Sequence, residues 1–120
     1  MTAQEARKIV LVTAVGSPFC VAIEDGNKVH NLIAEAFDKN ERVAISFAGV
    51  RRLTTAFLNA AVGQLYNEYT EERIRDALQI IEVSQDDVRL VARVVENAKK
   101  FFLSPERNRA IQDDALRNGR

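Results

Sequence analysis

Apolar residues run almost unbroken from Lys8 to Val15, KIVLVTAV, and stop at Gly16-Ser17-Pro18. A short β-branched run closed by a turn signal predicts a buried strand. Its near-continuous apolar character predicts cover on both faces. The spacing then changes. Val29, Leu32, Ile33, Ala36 and Phe37 recur along one helical face, with Lys28, Asn31, Glu35 and Asp38 between them. This helix is expected to start between Val21 and Asn27, because Gly26 is a poor interior residue, and to stop near Asn40. From Arg42 to Val50 the spacing returns to two: Val43, Ile45 and Phe47 alternate with Ala44, Ser46 and Ala48, a second strand.

After the turn at Arg51 and Arg52, Thr54 or Thr55 offers an N-cap to a helix reaching Tyr66 or Tyr69. Thr70, followed by Glu71 and Glu72, opens a short helix. LQIIEV, Leu78 to Val83, is a third strand. Ser84 and Asp87 form a capping-box pattern for a last helix ending at Phe102 or Leu103. In it Val88, Val91, Val95 and Phe102 mark one face, and Leu90, Val94 and Phe101 broaden it. The charged tail, 104–120, is lightly amphipathic through Ile111, Ala115 and Leu116. The domain is therefore taken as 1–103. Strands alternating with helices predict an α/β fold: a mainly parallel or mixed sheet of three to five strands with packed helices. Functional loops in such sheets gather at the carboxyl ends of strands. Here that means the loop from Gly16 to Cys20 and the loop from Arg51 to Thr55.

Composition narrows the function classes. The chain has 120 residues, of which 47% are hydrophobic, and 17 basic residues balance 17 acidic ones. The length fits one domain, and the balance provides no global field for nucleic acid or a membrane surface. One cysteine, Cys20, excludes an internal disulfide and fits a reducing compartment. The N-terminus lacks the apolar core of a signal peptide, and no apolar run approaches the ~20 residues that span a bilayer. A complete, cytoplasmic protein is expected.

Candidate chemistry is sparse. His30 is the only histidine, and no Cys/His cluster accompanies it; a surface or partly buried helix histidine is expected. Cys20 lies near a helix start, which lowers a thiol pKa, but no Cys-His-acid spacing supports a nucleophile. The glycine fingerprints of nucleotide-binding folds are absent, so no cofactor is expected. Asp86-Asp87 and Asp113-Asp114 read as helix-cap or solvated acids. Arg51 and Arg52 could contact phosphate, but without aromatic interleaving they read as an exposed turn.

The remaining feature is LTTAFLNAAVGQLY, residues 53–66, where an amide and a glycine interrupt an apolar helix. Asn59, Gly63 and Asn67 form a narrow stripe on the wheel. Small residues at Ala60, Ala61 and Gly63 allow a close approach of the backbone. Asn59 is expected to be buried and hydrogen-bonded to the preceding loop, so that Asn59→Leu would cost on the order of 1–3 kcal/mol.

At these residues the sequence resembles a family of bacterial STAS-like domains of unknown function. The shared pattern is a strand ending Phe-x-Gly-Val, a short gap, and Thr/Ser-x-Phe-Leu-Asn-x-Ala-x-Gly-x-Leu-Tyr. Here it reads SFAGV and, from Thr55, TAFLNAAVGQLY. The likeness extends upstream to Gly16-Ser17-Pro18-Phe19 and the helix of Gly26. Downstream it takes in the late strand and the Val94 to Lys99 helix. That family is similar to the anti-sigma-factor antagonists, small α/β domains that bind an ATP-dependent serine kinase of histidine-kinase-like fold. The kinase phosphorylates a Ser or Thr at the start of a helix, and the complex separates. Their Asp-Ser-Ser/Thr-Gly motif falls on Thr54-Thr55-Ala56-Phe57. Thr55 then stands for the phosphorylated serine, while Thr54 replaces the aspartate and Phe57 the glycine.

The resemblance implies a non-enzymatic regulatory module that binds a histidine-kinase-like ATPase. Its site would comprise Thr54, Thr55, Asn59, Ser17, Arg51 and Arg52. Three alternatives stay open: a structural or homo-oligomerising subunit without a switch, a small enzyme using Cys20, and a nucleic-acid binder using Arg51, Arg52 and the basic residues of the tail.

Overall fold

The computed structural model describes residues 6–103. The charged, lightly amphipathic tail at 104–120 lies outside the described residues. Strand β1 (Ala6–Val10) pairs in parallel with β3 (Arg42–Ser46), and β3 pairs in parallel with β5 (Leu78–Ile81). The sheet order is β1-β3-β5. All of Val43 to Phe47 is buried, as a strand covered on both faces requires. The expected parallel α/β sheet is present, and Val10, Ile45 and Ile80 lie in its strands.

The first strand is shorter than its apolar run predicts. Leu11–Val15 forms a helical turn, α1, instead of continuing β1. The register explains this: Val10 already faces Ser46, the last residue of β3. Beyond it no ladder partner remains, so the backbone satisfies itself locally. Gly16, at φ 84°, closes the turn with its N–H on the Val12 carbonyl. The second strand likewise ends early, at Ser46. A tight turn follows, with Val50 N–H on the Phe47 carbonyl and Gly49 at φ 82°. The third ends at Ile81, and Glu82 takes a left-handed backbone, φ 54°.

A second, smaller parallel ribbon pairs β2 (Phe19–Cys20) with β4 (Arg52–Leu53). Helix α2 (Ile23–Asp38) packs on β3 and on the helical rod of residues 55–68; α6 (Gln85–Leu103) covers that rod. The rod comprises α3 (Thr55–Leu58), a π-helical stretch (Asn59–Gly63) and α4 (Leu65–Glu68). Gly26 is the contact point between α2 and the rod. A Cβ there would stand 2.5 Å from the Phe57 carbonyl oxygen and 2.7 Å from the Ala60 Cβ. A residue read as weakening the helix start is thus what lets the two helices approach.

Thr70 caps α5 (Glu71–Ala77) by accepting from Arg73 N–H, and Ser84 caps α6 by accepting from Asp87 N–H. The buried face of α6 is Val91, Val94 and Ala98, while Val88 and Phe101 are exposed rather than part of the core face. No helix among the described residues is long and apolar enough to cross a membrane.

Candidate functional site

Two loops left the main sheet with unpaired backbone, and they pair with each other. Arg51 and Arg52 both direct their N–H groups to the Pro18 carbonyl, at 2.8 and 3.3 Å, and Thr54 N–H reaches the Cys20 carbonyl at 3.2 Å. Ser17 Oγ accepts from Phe19 N–H at 3.0 Å and shapes the turn entering the ribbon. The ribbon therefore joins Ser17, Arg51 and Arg52 at one end. It delivers Thr54 and Thr55 at the other, where the rod begins.

The two threonines have separate jobs. Thr54 Oγ1 accepts from Phe57 N–H at 3.1 Å and donates to the Val21 carbonyl at 2.9 Å. It is the N-cap, and its hydroxyl is committed on both sides. Thr55 is exposed at the first helical position. Of the two, Thr55 is the hydroxyl a partner can reach.

Asn59 departs from expectation. It is exposed, on the same face as Thr55 and Ala56, and its side chain forms no hydrogen bond among the described residues. The loop it was expected to hold is held by Thr54 instead. Asn59 opens the π-helical stretch, and its Oδ1 would lie 3.3 Å from a Cβ on Gly63. Gly63 leaves room for that amide and for Ala98 of α6. Asn59 also faces a groove of about 340 Å³ lined with Gly63, Gln64, Asn97, Ala98, Phe101 and Phe102. The structure thus separates Asn59 from the ribbon residues and sets it towards α6.

Sequence reasoning missed two members of this surface. Phe19 is 50% exposed and Ile23 is 55% exposed. Both flank Val21, the residue to which Thr54 is tied. A lone apolar residue at a turn or a helix start reads as core, so no sequence signal marked them.

Cys20 is fully buried. Burial pushes its thiol up to about 11, and the charges of Asp25 and Asp87 push the same way. The helix start does not activate it: burial dominates, and the acids in the first turns of α2 and α6 add to it. As a thiol it is a poor nucleophile at neutral pH. His30 is partly buried, with Nε2 at 2.9 Å from Glu68 Oε1. No group of three or more His, Cys, Asp or Glu residues placed to hold a metal occurs among the described residues.

Behind the site, at the carboxyl edge of the main sheet, the Ser46 hydroxyl donates to Glu82 Oε1 at 2.5 Å, and Lys8 Nζ lies 3.4 Å from the same oxygen. The Ser46 hydrogen bond and then Lys8 hold the Glu82 carboxyl below the usual range.

In comparison with known proteins, the sequence pattern of the family described as STAS-like domain of unknown function (DUF4325) matches residues 25–88. That span includes most of α2, the rod and the loop from Arg51 to Thr55, while the loop from Gly16 to Cys20 lies before it. No curated protein and no solved structure matches the chain.

Proposed function

Because this chain belongs to the family of STAS-like domains of unknown function, we propose that it is a non-enzymatic, cytoplasmic regulatory module of a bacterial cell. It binds a protein partner, a histidine-kinase-like ATPase, and Thr55 is the residue whose modification releases that partner. The observation that supports this most is the division between the threonines. Thr54 carries the capping work, and Thr55 is left exposed at a helix start beside an apolar surface.

Phe19 and Ile23 supply exposed apolar area, Arg51 and Arg52 supply charge at its border, and Thr54 ties the segments together. Exposed apolar side chains near a rigid polar frame suit protein binding. A phosphate on Thr55 is compatible with the fold, because helix N-terminal amides and the dipole favour an anion. It adds about −1.5 to −2 charge to that surface, which opposes burial against an apolar partner face.

The test is capture from the native host by the full chain, with and without ATP and magnesium, read by mass spectrometry. Recovery of a histidine-kinase-like ATPase that ATP releases supports the reading. Loss of that recovery in Phe19→Asp assigns the surface. Capture of no such ATPase removes the reading.

A second reading, a homo-oligomerising subunit, is favoured by one observation: β1 is an edge strand with one side unpaired among the described residues. Light scattering on the purified chain distinguishes it, since a stable oligomer without any partner would support that role.

A further inference from the structure

Glu82 has φ 54°, in the left-handed region that side chains with a Cβ seldom occupy. Among the described residues Asn40, at φ 61°, is the other non-glycine there, and an asparagine at a helix end suits that geometry. A glutamate does not. The conformation has a visible consequence. It turns the Glu82 carboxylate back over the ends of the strands, where Oε1 accepts the hydrogen bond of the Ser46 hydroxyl and faces Lys8 Nζ. One oxygen thereby joins a residue of β1, a residue of β3 and the end of β5.

Ser46 is fully buried, and its Oγ also accepts from Ala48 N–H at 3.2 Å. A serine has one proton to give. Glu82 accepts the hydrogen bond it forms, which leaves the Oγ lone pairs for Ala48. The bonds continue along the chain. Phe47 N–H reaches the Ile81 carbonyl, Val50 N–H the Phe47 carbonyl, Arg51 and Arg52 N–H the Pro18 carbonyl, and Thr54 N–H the Cys20 carbonyl. These bonds fix successive points of the segment that runs from Ser46 to the Thr54 cap.

We infer that Glu82 is a positioning residue for the loop of residues 47–54: its carboxylate sets the Ser46 hydroxyl, and through it the course of the segment that presents Arg51, Arg52 and Thr55. The strained backbone persists because that carboxylate is needed at that point; strain held in place by its surroundings is common at functional surfaces. A part for this loop in partner binding rests on the reading proposed above. The positioning itself is a property of the free protein.

The test is amide hydrogen exchange by NMR on the free full-length chain at neutral pH. Glu82→Gly removes the strain and the carboxylate together. Glu82→Asn tolerates the same backbone without glycine's added freedom. Glu82→Gln keeps the acceptor for Ser46. In Glu82→Gly and Glu82→Asn, exchange at Ala48, Arg51, Arg52 and Thr54 should rise by about tenfold or more, while Ile33 and Ile45 keep their protection. Glu82→Gln should preserve protection at Ala48. Unchanged loop exchange in the first two variants overturns the proposal. So does a uniform rise across the chain, which would make Glu82 a residue of global stability. Capture of the ATPase, measured in parallel, separates the two claims. A loosened loop with undiminished capture leaves the positioning role standing and removes the loop from partner recognition.

Discussion

The Thr54 hydroxyl donates to the Val21 carbonyl across 2.9 Å and so fastens the start of the rod to the approach of α2. The same oxygen accepts from Phe57 N–H. Replacing it with the isosteric valine removes an N-cap and leaves the Val21 carbonyl and the Phe57 amide without their protein partner. Thr54→Val should cost about 1–3 kcal/mol in urea unfolding, and Thr54→Ser should recover most of it. Thr55→Ala, one residue along and exposed, should stay within about 0.5 kcal/mol of wild type. Equal losses at both positions would contradict this division.

Gly26→Ala tests the contact between α2 and the rod. The added methyl would meet a backbone oxygen at 2.5 Å, and backbone cannot rotate aside as a side chain can. The helices must separate, at a cost of about 1–3 kcal/mol despite alanine's better helix propensity. A stabilised Gly26→Ala would show that the packing is looser than this geometry.

Asn59→Leu should change stability by no more than about 0.5 kcal/mol, since the side chain is exposed and unbonded among the described residues. Chemical denaturation at constant slope measures it. A loss of 1 kcal/mol or more, on the scale of a buried amide whose partner is orphaned, would contradict that placement.

The Glu71–Lys99 pair, 2.6 Å apart, joins α5 to α6. Hydrogen bonding to Lys99 lowers the Glu71 pKa, and the same bond raises that of Lys99. A lowered acid contributes stability above its unfolded value, about 4.3, and loses it as pH falls through the folded value. A raised lysine contributes below its unfolded value, about 10.4, and loses it as pH rises through the folded value. The Tm difference between wild type and Lys99→Met should therefore be flat through neutral pH and shrink at both ends. A difference that persists below pH ~3 would assign it to lost packing of the lysine stem.

The sheet was legible in the sequence because each strand carries a β-branched run, and Val10, Ile45 and Ile80 all lie where their runs place them. The caps at Thr70 and Ser84 were legible from side-chain chemistry alone. Where runs were read too long, at Leu11–Val15, the deciding fact was the end of a neighbouring strand, which no local window contains. The β2–β4 ribbon has two residues on each side, too few to show a period. Thr54 and Thr55 satisfy the same capping rule, and only the position of the Val21 carbonyl separates them. The expected burial of Asn59 failed because an amide inside an apolar run reads as core, whereas Asn59 stands exposed at the start of the π-helical stretch and Gly63 of the same stripe is buried. Phe19, Ile23 and Glu82 had no sequence signature, since exposure and a left-handed backbone arise from the surrounding chain.

The most direct measurement is parallel capture from the native host with three full-length baits: wild type, Thr55→Ala and Thr55→Glu. Glutamate at a helix N-terminus does not itself destabilise the helix, so thermal melts of the three baits should agree. Mass spectrometry should then recover a histidine-kinase-like ATPase on wild type and Thr55→Ala, and about tenfold less or none on Thr55→Glu, a difference of about 1.4 kcal/mol or more. ATP should release it from wild type and not from Thr55→Ala. Equal recovery on wild type and Thr55→Glu would take Thr55 out of the binding face, and recovery of no such ATPase on any bait would contradict the partner itself.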